Sequence, residues 1–237
     1  LSDSFNFPEG EVLLFDKPYG PTSFSIVNRV RGIIKRKLKV KNIKVGHAGT
    51  LDPLATGLLV ICTGKATKTI VSIQDAEKEY TGTITVGATT PSYDLETEVN
   101  ETFPVEHITD EMIRKTATEM IGEHHQMPPI FSAKQVDGKR AYDLARAGKD
   151  VKLNTKLVTI KEFEITSILR SDDKIEVDFR VACSKGTYIR SLAFDLGKAL
   201  NSGGYLSSLR RTRIGKYHVE DAITADQFQF LLHGDAT

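Results

Sequence analysis

Thiols are scarce in this chain: Cys62 and Cys183 are the two cysteines among 237 residues. So few, so far apart, they exclude a disulfide framework and a cysteine zinc site, and they suit a reducing compartment. Long apolar runs are missing as well. No window reaches the roughly 18 uninterrupted apolar residues of a membrane span, and the N-terminus lacks a basic-then-apolar signal pattern, so the expected location is the cytoplasm. Metal-ligand spacing is absent: adjacent His124 and His125 diverge and no third ligand accompanies them, so no metal is expected. Gly64-Lys65-Ala66-Thr67 lacks the distant glycine and the Ser/Thr after lysine that a P-loop needs, which excludes nucleotide binding there. Without repeats, low-complexity tracts or an obvious linker, residues 1–237 read as one domain.

The most informative scarcity is of acid. From Lys17 to Gln74 the chain has eleven Lys/Arg and one carboxylate, Asp52. Asp75–His125 reverses this, with twelve acids against three bases, and Cys183–His218 returns to seven bases and one acid. Two basic regions around an acidic one suggest a polyanion-binding face, against the plainer alternative that the charges are scattered over different solvated faces.

The apolar pattern supplies the elements. Val12–Phe15 reads as a buried strand stopped by Asp16-Lys17-Pro18-Tyr19-Gly20-Pro21. Thr22 or Ser23 caps a helix with Ile26, Val27, Val30, Ile33 and Ile34 inward and Arg29, Arg31, Lys35 and Arg36 outward. Leu58–Cys62 is continuously apolar, as in a strand buried on both faces, which makes Cys62 a small core residue. Tyr80–Gly87 alternates, turning Tyr80, Ile84 and Val86 inward, and by periodicity alone a core tyrosine is the simpler reading. Pro91–Asp94 opens an acidic loop expected at the surface. Thr109 caps a helix with Ile113, Ala117, Met120 and Ile121 inward. Lys139–Ala147 reads as a short helix, Val158–Leu169 and Lys174–Cys183 as strands, and a helix with Ile189, Leu192, Ala193, Leu196 and Leu200 on one side follows. Arg190 falls at that helix's N-terminus, where the dipole disfavours a cation, so it needs an anionic partner, structural or catalytic. Leu209–Tyr217 is basic and strand-like.

Chemistry converges on Val45–Gly57. Pro53 biases Asp52 away from helix, glycines 46, 49 and 57 permit tight turns or close approach of another segment, and the imidazole of His47 can reach the same cleft. A carboxylate so placed can serve as nucleophile, base or metal ligand.

Gly46-His47-Ala48-Gly49-Thr50-Leu51-Asp52-Pro53-Leu54-Ala55-Thr56-Gly57 closely resembles the signature of the TruB-type tRNA pseudouridine-55 synthases. Leu14–Ser23, Pro128–Lys134 and Cys183–Leu192 are similar to further blocks of that family in the same order, and the resemblance covers about residues 11–225. It implies an α+β pseudouridine synthase fold: a mixed, largely antiparallel central sheet flanked by helices and loops that form an RNA-binding cleft, with an RNA-gripping insertion near 124–152. It implies an isomerase that flips uridine 55 out of the tRNA T-loop, cleaves its glycosidic bond, rotates the uracil and rejoins it through carbon 5. Asp52 matches the essential aspartate, which attacks the sugar or base or takes a sugar proton to give a glycal. Tyr80 matches the aromatic that stacks on the flipped base, which displaces the core-tyrosine reading. Tyr188 and Arg190 match the pocket tyrosine and the arginine paired with the aspartate. His47 matches the side chain that helps displace the T-loop base stack, and Leu209 an apolar pocket residue. The implied partner is the tRNA T-arm, handled by a monomer without cofactor, metal or membrane. Many bacterial members continue into a PUA-type RNA-binding domain. None is expected here, and residues 29–44 are expected to supply phosphate contacts in its place. The competing readings are a non-catalytic RNA-binding protein of the same fold and an aspartyl-nucleophile hydrolase.

Overall fold

The turn signals and periodicities resolve, in a computed structural model that describes residues 5–129, 135–136, 139–140 and 154–234, into thirteen strands and five helices among those residues. In chain order they are β1 (Val12–Lys17), α1 (Ser23–Leu38), β2 (Val45–His47), β3 (Thr56–Thr63), α2 (Ile70–Asp75), β4 (Lys78–Val86), β5 (Ala88–Thr89), β6 (Glu101–Thr102), α3 (Asp110–Glu119), β7 (Gly122–Gln126), β8 (Gln135–Val136), β9 (Lys139–Arg140), β10 (Lys156–Arg170), β11 (Ile175–Cys183), α4 (Ile189–Ala199), β12 (Gly204–Ile214), β13 (Tyr217–His218) and α5 (Ala225–His233). The chain divides into two units, Leu1–Tyr80 with Arg210–Thr237, and Thr81–Leu209.

In the first unit β3 is central. It pairs antiparallel with β1 on one edge; on the other it pairs antiparallel with β2 and, at Thr56 and Gly57, parallel with Arg210 and Arg211 of β12. Its apolar run is divided by the pleat. Leu59 and Ile61 enter a cluster with Phe7, Phe15, Val30, Ile34 and Phe228, while Leu58, Val60 and Cys62 enter another with Ala48, Ile73 and Ile214. Helix α1 follows the expected pattern: Thr22 accepts from the Ser25 amide at 3.1 Å, the five anticipated apolar residues are buried, and Lys39 ends the helix at φ 55°. Full burial of such side chains contributes roughly 1.5–3 kcal/mol each.

In the second unit the strand order is β12-β4-β11-β10-β7, with β10 antiparallel to both neighbours and bulged between Ile160 and Glu162 and between Ile165 and Ser167. Helix α3 lies on β10, where Arg114 Nη1 donates to the Ile165 carbonyl at 2.6 Å. The mixed, mostly antiparallel sheet with helices agrees with the expected fold class.

Two local expectations fail and a third fails in part. Met120 is half-exposed and Ile121 exposed, because α3 stops at Glu119 and the helical phase is lost beyond it. Lys139 and Arg140 are strand where a helix is expected, and most of that segment and of the 124–152 insertion lies outside the described residues. The acidic loop that Pro91–Asp94 opens is exposed at Leu95, Glu96 and Glu98, but its first residues turn inward: Ser92 and Asp94 are 0% and 6% exposed. The hydroxyls of Thr90 and Ser92 both donate to the Asp94 carbonyl, at 2.7 and 3.2 Å, and Ser92 also bonds Thr97, so local side-chain bonds fold the segment inward.

Candidate active site

Asp52 sits in the loop between β2 and β3, and the first unit grips that loop from three sides. Ser23 at the start of α1 exchanges hydrogen bonds with the Leu51 backbone, donating to its carbonyl at 2.9 Å and accepting from its amide at 2.8 Å. Lys17 at the end of β1 donates from Nζ to the carbonyls of Pro18, Pro21 and Pro53 at 2.9, 2.8 and 3.2 Å, which uses every proton of the ammonium. Arg211 on β12 donates from Nε to Leu58 at 2.8 Å, from Nη2 to Gly49 at 3.0 Å and from Nη1 to Thr50 at 3.5 Å, all to backbone carbonyls.

The register explains why these two cations meet the loop together. Lys17 and Arg211 are both Cα partners of Gly57, one from each neighbouring strand. Residues directly opposite on adjacent strands point to the same face, so the two side chains flank the space that Gly57 leaves empty. Gly57 has φ 99°, and a Cβ there would come within 2.3 Å of the Arg211 carbonyl oxygen, so no larger residue fits. The close approach anticipated for Gly57 is to β12.

Both cations are almost entirely out of water, Lys17 at 0% and Arg211 at 1% exposure. Burial pushes Lys17 down to about 8, opposed by the charge of Asp52 and reinforced by that of Arg211. Burial also lowers Arg211, against the charge of Tyr80. His47, at the end of β2, has a buried Nδ1 with no hydrogen-bond partner among the described residues. Burial pushes its imidazole below the ordinary value, the Gly49 backbone opposes this, and Arg211 adds to it. His47, Asp52 and Tyr80 thus belong to one electrostatic neighbourhood centred on Lys17 and Arg211.

The remaining expected residues lie in the second unit, with Leu209 at its boundary in sequence. Tyr188 precedes α4 and is fixed by its backbone, which donates to Gln126 Oε1 at 2.7 Å and accepts from Gln126 Nε2 at 3.0 Å. Arg190, 5% exposed, finds an anion in Asp94, with Nε 3.6 Å from Oδ2, and donates to the Ser92 carbonyl at 3.3 Å. Asp94 is presented by Tyr93, whose φ is 63° and whose ring stacks on Phe194 at 4.2 Å. Leu209 is half-buried.

Sequence reasoning missed Lys17, Arg211, Ser23 and Asp94. Lys17 and Arg211 were counted with the basic surface, and only the pairing register around Gly57 separates them from it. Among the described residues no three His, Cys, Asp or Glu side chains could hold a metal ion together, and no helix is long and apolar enough to cross a membrane.

The model of the TruB family pseudouridylate synthase N-terminal domain matches residues 35–189, and that of the tRNA pseudouridylate synthase B C-terminal domain matches residues 190–235. The chain belongs to the TruB family of pseudouridylate synthases. It is 56% identical over 223 residues to a tRNA pseudouridine synthase B of Phocaeicola vulgatus, covering 94% of this chain and 93% of that protein. It is 56% identical over 222 residues to the one of Flavobacterium johnsoniae, covering 93% and 95%. Among solved structures, a Cbf5–Nop10–Gar1 complex has a chain that aligns with TM-score 0.68 and 28% identity over 98% of this chain. A chain in an H/ACA RNP bound to a substrate RNA containing 2'-deoxyuridine aligns with TM-score 0.65 and 28% identity over 94%. This chain spans 58% and 55% of the lengths of those two chains, against more than nine-tenths of the curated relatives.

Proposed function

We propose that this chain isomerises uridine to pseudouridine at position 55 in the T-loop of tRNA, with Asp52 as the essential carboxylate. The observation that carries the reading is the hold on Asp52: Lys17, Ser23 and Arg211 fix the loop on both sides of it in a chain of the TruB family. In the reaction the bond from uracil N1 to the sugar carbon breaks, the uracil turns, and its C5 bonds that carbon instead. The C5 proton leaves and N1 gains one, so substrate and product are isomers and no electron donor or acceptor enters. Tyr80 offers its ring to the extruded uracil, and His47 helps open the T-loop stack; extrusion costs a few kcal/mol, which stacking and phosphate contacts offset. Tyr188 and Leu209 line the uracil pocket on this reading, and Arg190 is the guanidinium that orients the carboxylate. The enzyme works as a cytoplasmic monomer on the tRNA T-arm, without metal or cofactor.

Half-buried and exposed bases at and beyond the end of α1 support an RNA substrate. Lys35, Arg36, Lys37, Lys39, Lys41 and Lys44 have no acidic partner among the described residues. Their charge is available to phosphates, whose contacts do not depend on base identity.

The test is incubation with unmodified tRNA carrying tritium at uridine C5, followed by mapping of the product. Release from wild type at position 55 and none from Asp52→Asn is expected. Binding without release by wild type favours the non-catalytic RNA-binding reading, and release by Asp52→Asn removes Asp52 from its role.

A further inference from the structure

Aromatic side chains that stand well out in solvent are rare in this protein. Among the described residues Tyr19, Phe24 and Phe230 do so, and Tyr19 and Phe24 are each 62% exposed. Phe230 belongs to α5, and the other two share a different setting. Asp52 lies between Leu51 and Pro53, and each of those neighbours is bonded to a residue next to one of the two aromatics. Gly20, which follows Tyr19, donates its amide to the Pro53 carbonyl at 2.9 Å. Ser23, which precedes Phe24, exchanges hydrogen bonds with the Leu51 backbone at 2.9 and 2.8 Å. On either side of the carboxylate, one Cα–Cα step of about 3.8 Å separates an aromatic residue from a residue tied to the Asp52 loop. Pro18 and Pro53 are exposed beside them.

A solvent-facing ring forfeits much of the free energy that its burial would contribute. One exposed apolar residue is ordinary, but two that bracket the same carboxylate call for a partner. The surrounding charge narrows the class of that partner. Between Lys17 and Gln74 the one acid, Asp52, stands against eleven bases, so the partner carries negative charge, and the rings require flat apolar faces. Unpaired nucleotides offer both, phosphates for the lysines and arginines and nucleobase faces for the rings. We propose that Tyr19 and Phe24 are a stacking platform for unpaired bases of the substrate RNA that flank the reacting uridine. The inference rests on the functional reading above, which puts that uridine at Asp52. Tyr80 takes the extruded uracil on that reading, and Tyr19 and Phe24 take its neighbours. Extrusion of one base breaks its stacking with the bases beside it, and the platform restores a stacked face to them.

The experiment is filter binding of a T-arm stem-loop RNA at several salt concentrations, with single-turnover pseudouridine formation and thermal unfolding measured alongside. The proteins are wild type, Tyr19→Ala, Phe24→Ala, Phe24→Leu and Phe24→Tyr. Both positions are exposed, so unfolding midpoints should stay within about 2 °C of wild type. Each alanine variant is expected to weaken binding about 5-fold to 150-fold, the range of one base–aromatic stack. The salt slope should not change, because no phosphate contact is lost. Phe24→Tyr keeps a ring and should bind within about twofold of wild type, whereas Phe24→Leu, which keeps only the apolar bulk, should not. Binding is then repeated with stem-loops in which one unpaired nucleotide beside the reacting uridine is abasic. At the position that stacks on a given ring, wild type should lose affinity, and removing that ring as well should cost less than about twofold more.

An alanine variant that binds within about twofold of wild type overturns the proposal for that ring. A Phe24→Leu variant that binds as well as Phe24→Tyr overturns it too, since the surface would then be merely apolar. So do fully multiplicative losses at every abasic position, which would mean that the rings meet some part of the RNA other than its bases. A wild type that shows the coupling yet forms no pseudouridine overturns the functional reading and leaves the platform standing.

Discussion

The bases of the first unit fall into two populations with opposite surroundings. Lys17 and Arg211 are buried and bound to neutral carbonyl oxygens, so their charge is fixed in place beside Asp52. Lys35, Arg36, Lys37, Lys39, Lys41 and Lys44 are half-buried or exposed and have no acid opposite them among the described residues. Composition counts both populations as one basic segment. Burial separates them: a desolvated, fully hydrogen-bonded cation cannot reach a phosphate, and a solvated lysine on a helix end cannot hold a loop to a fraction of an ångström. The first population should govern the rate of the bound complex, and the second the affinity and its dependence on salt.

The sharpest way to break the first population is to push its strands apart. Gly57→Ala puts a Cβ 2.3 Å from the Arg211 carbonyl oxygen at φ 99°. Backbone strain and the lost β3–β12 pairing should together cost about 3 kcal/mol or more in urea unfolding, and product formation should be lost with it. Next, Lys17→Met removes the donor to three proline carbonyls. The single-turnover rate should fall about tenfold to a hundredfold, with the salt dependence of tRNA binding unchanged; a changed salt slope would place Lys17 with the exposed bases.

The same lysine predicts a pH effect. With burial pushing it down to about 8, raising the pH through that value removes one of its three donors and its charge beside Asp52. The wild-type rate should decline above about pH 8, and the decline should be absent in Lys17→Met. Stability moves the other way. The folded state holds this proton less tightly than the unfolded state, whose value is 10.5, so between about pH 8 and 10.5 this group makes the fold more stable as pH rises. Unfolding measured at pH 7 and 9 therefore distinguishes a titrating anchor from a denaturing enzyme.

Much of the fold was legible because local pattern and tertiary burial agree. The alternation at Tyr80 and the continuous run at Leu58–Cys62 each follow from which faces are covered. The Asp52 loop was legible from its proline and glycines. Lys17 and Arg211 were not, because nothing in a lysine or arginine codon's neighbourhood says whether its strand partner is a glycine; that depends on β1, β3 and β12 meeting at Gly57. Asp94 was hidden in an acidic run whose Thr90, Ser92 and Thr97 hydroxyls were the available sign that the segment turns inward. The resemblance pairs Arg190 with Asp52, whereas the carboxylate beside it within the second unit is Asp94.

The second population is broken by neutralising Lys35, Arg36, Lys37 and Lys39 to Gln. If each contacts a phosphate, the logarithmic salt slope of tRNA binding should fall by about 3 and affinity at moderate salt by tenfold or more, while the rate of the bound complex stays put. An unchanged slope would remove these bases from the interface.

The smallest effect is the most discriminating control. Arg29 lies on the same helix and is nearly as exposed, with 45% of its side chain accessible, yet it is paired to Asp226 on α5. An exposed pair of this kind contributes about 0–1 kcal/mol, so Arg29→Gln should shift the urea midpoint only slightly. Because its charge is already opposed, the salt slope should also change by much less than for any one of the unpaired bases. An Arg29→Gln slope reduced by a full unit would mean that Asp226 yields to phosphate when tRNA binds, and that the boundary between the populations is burial alone, not the absence of an acidic partner.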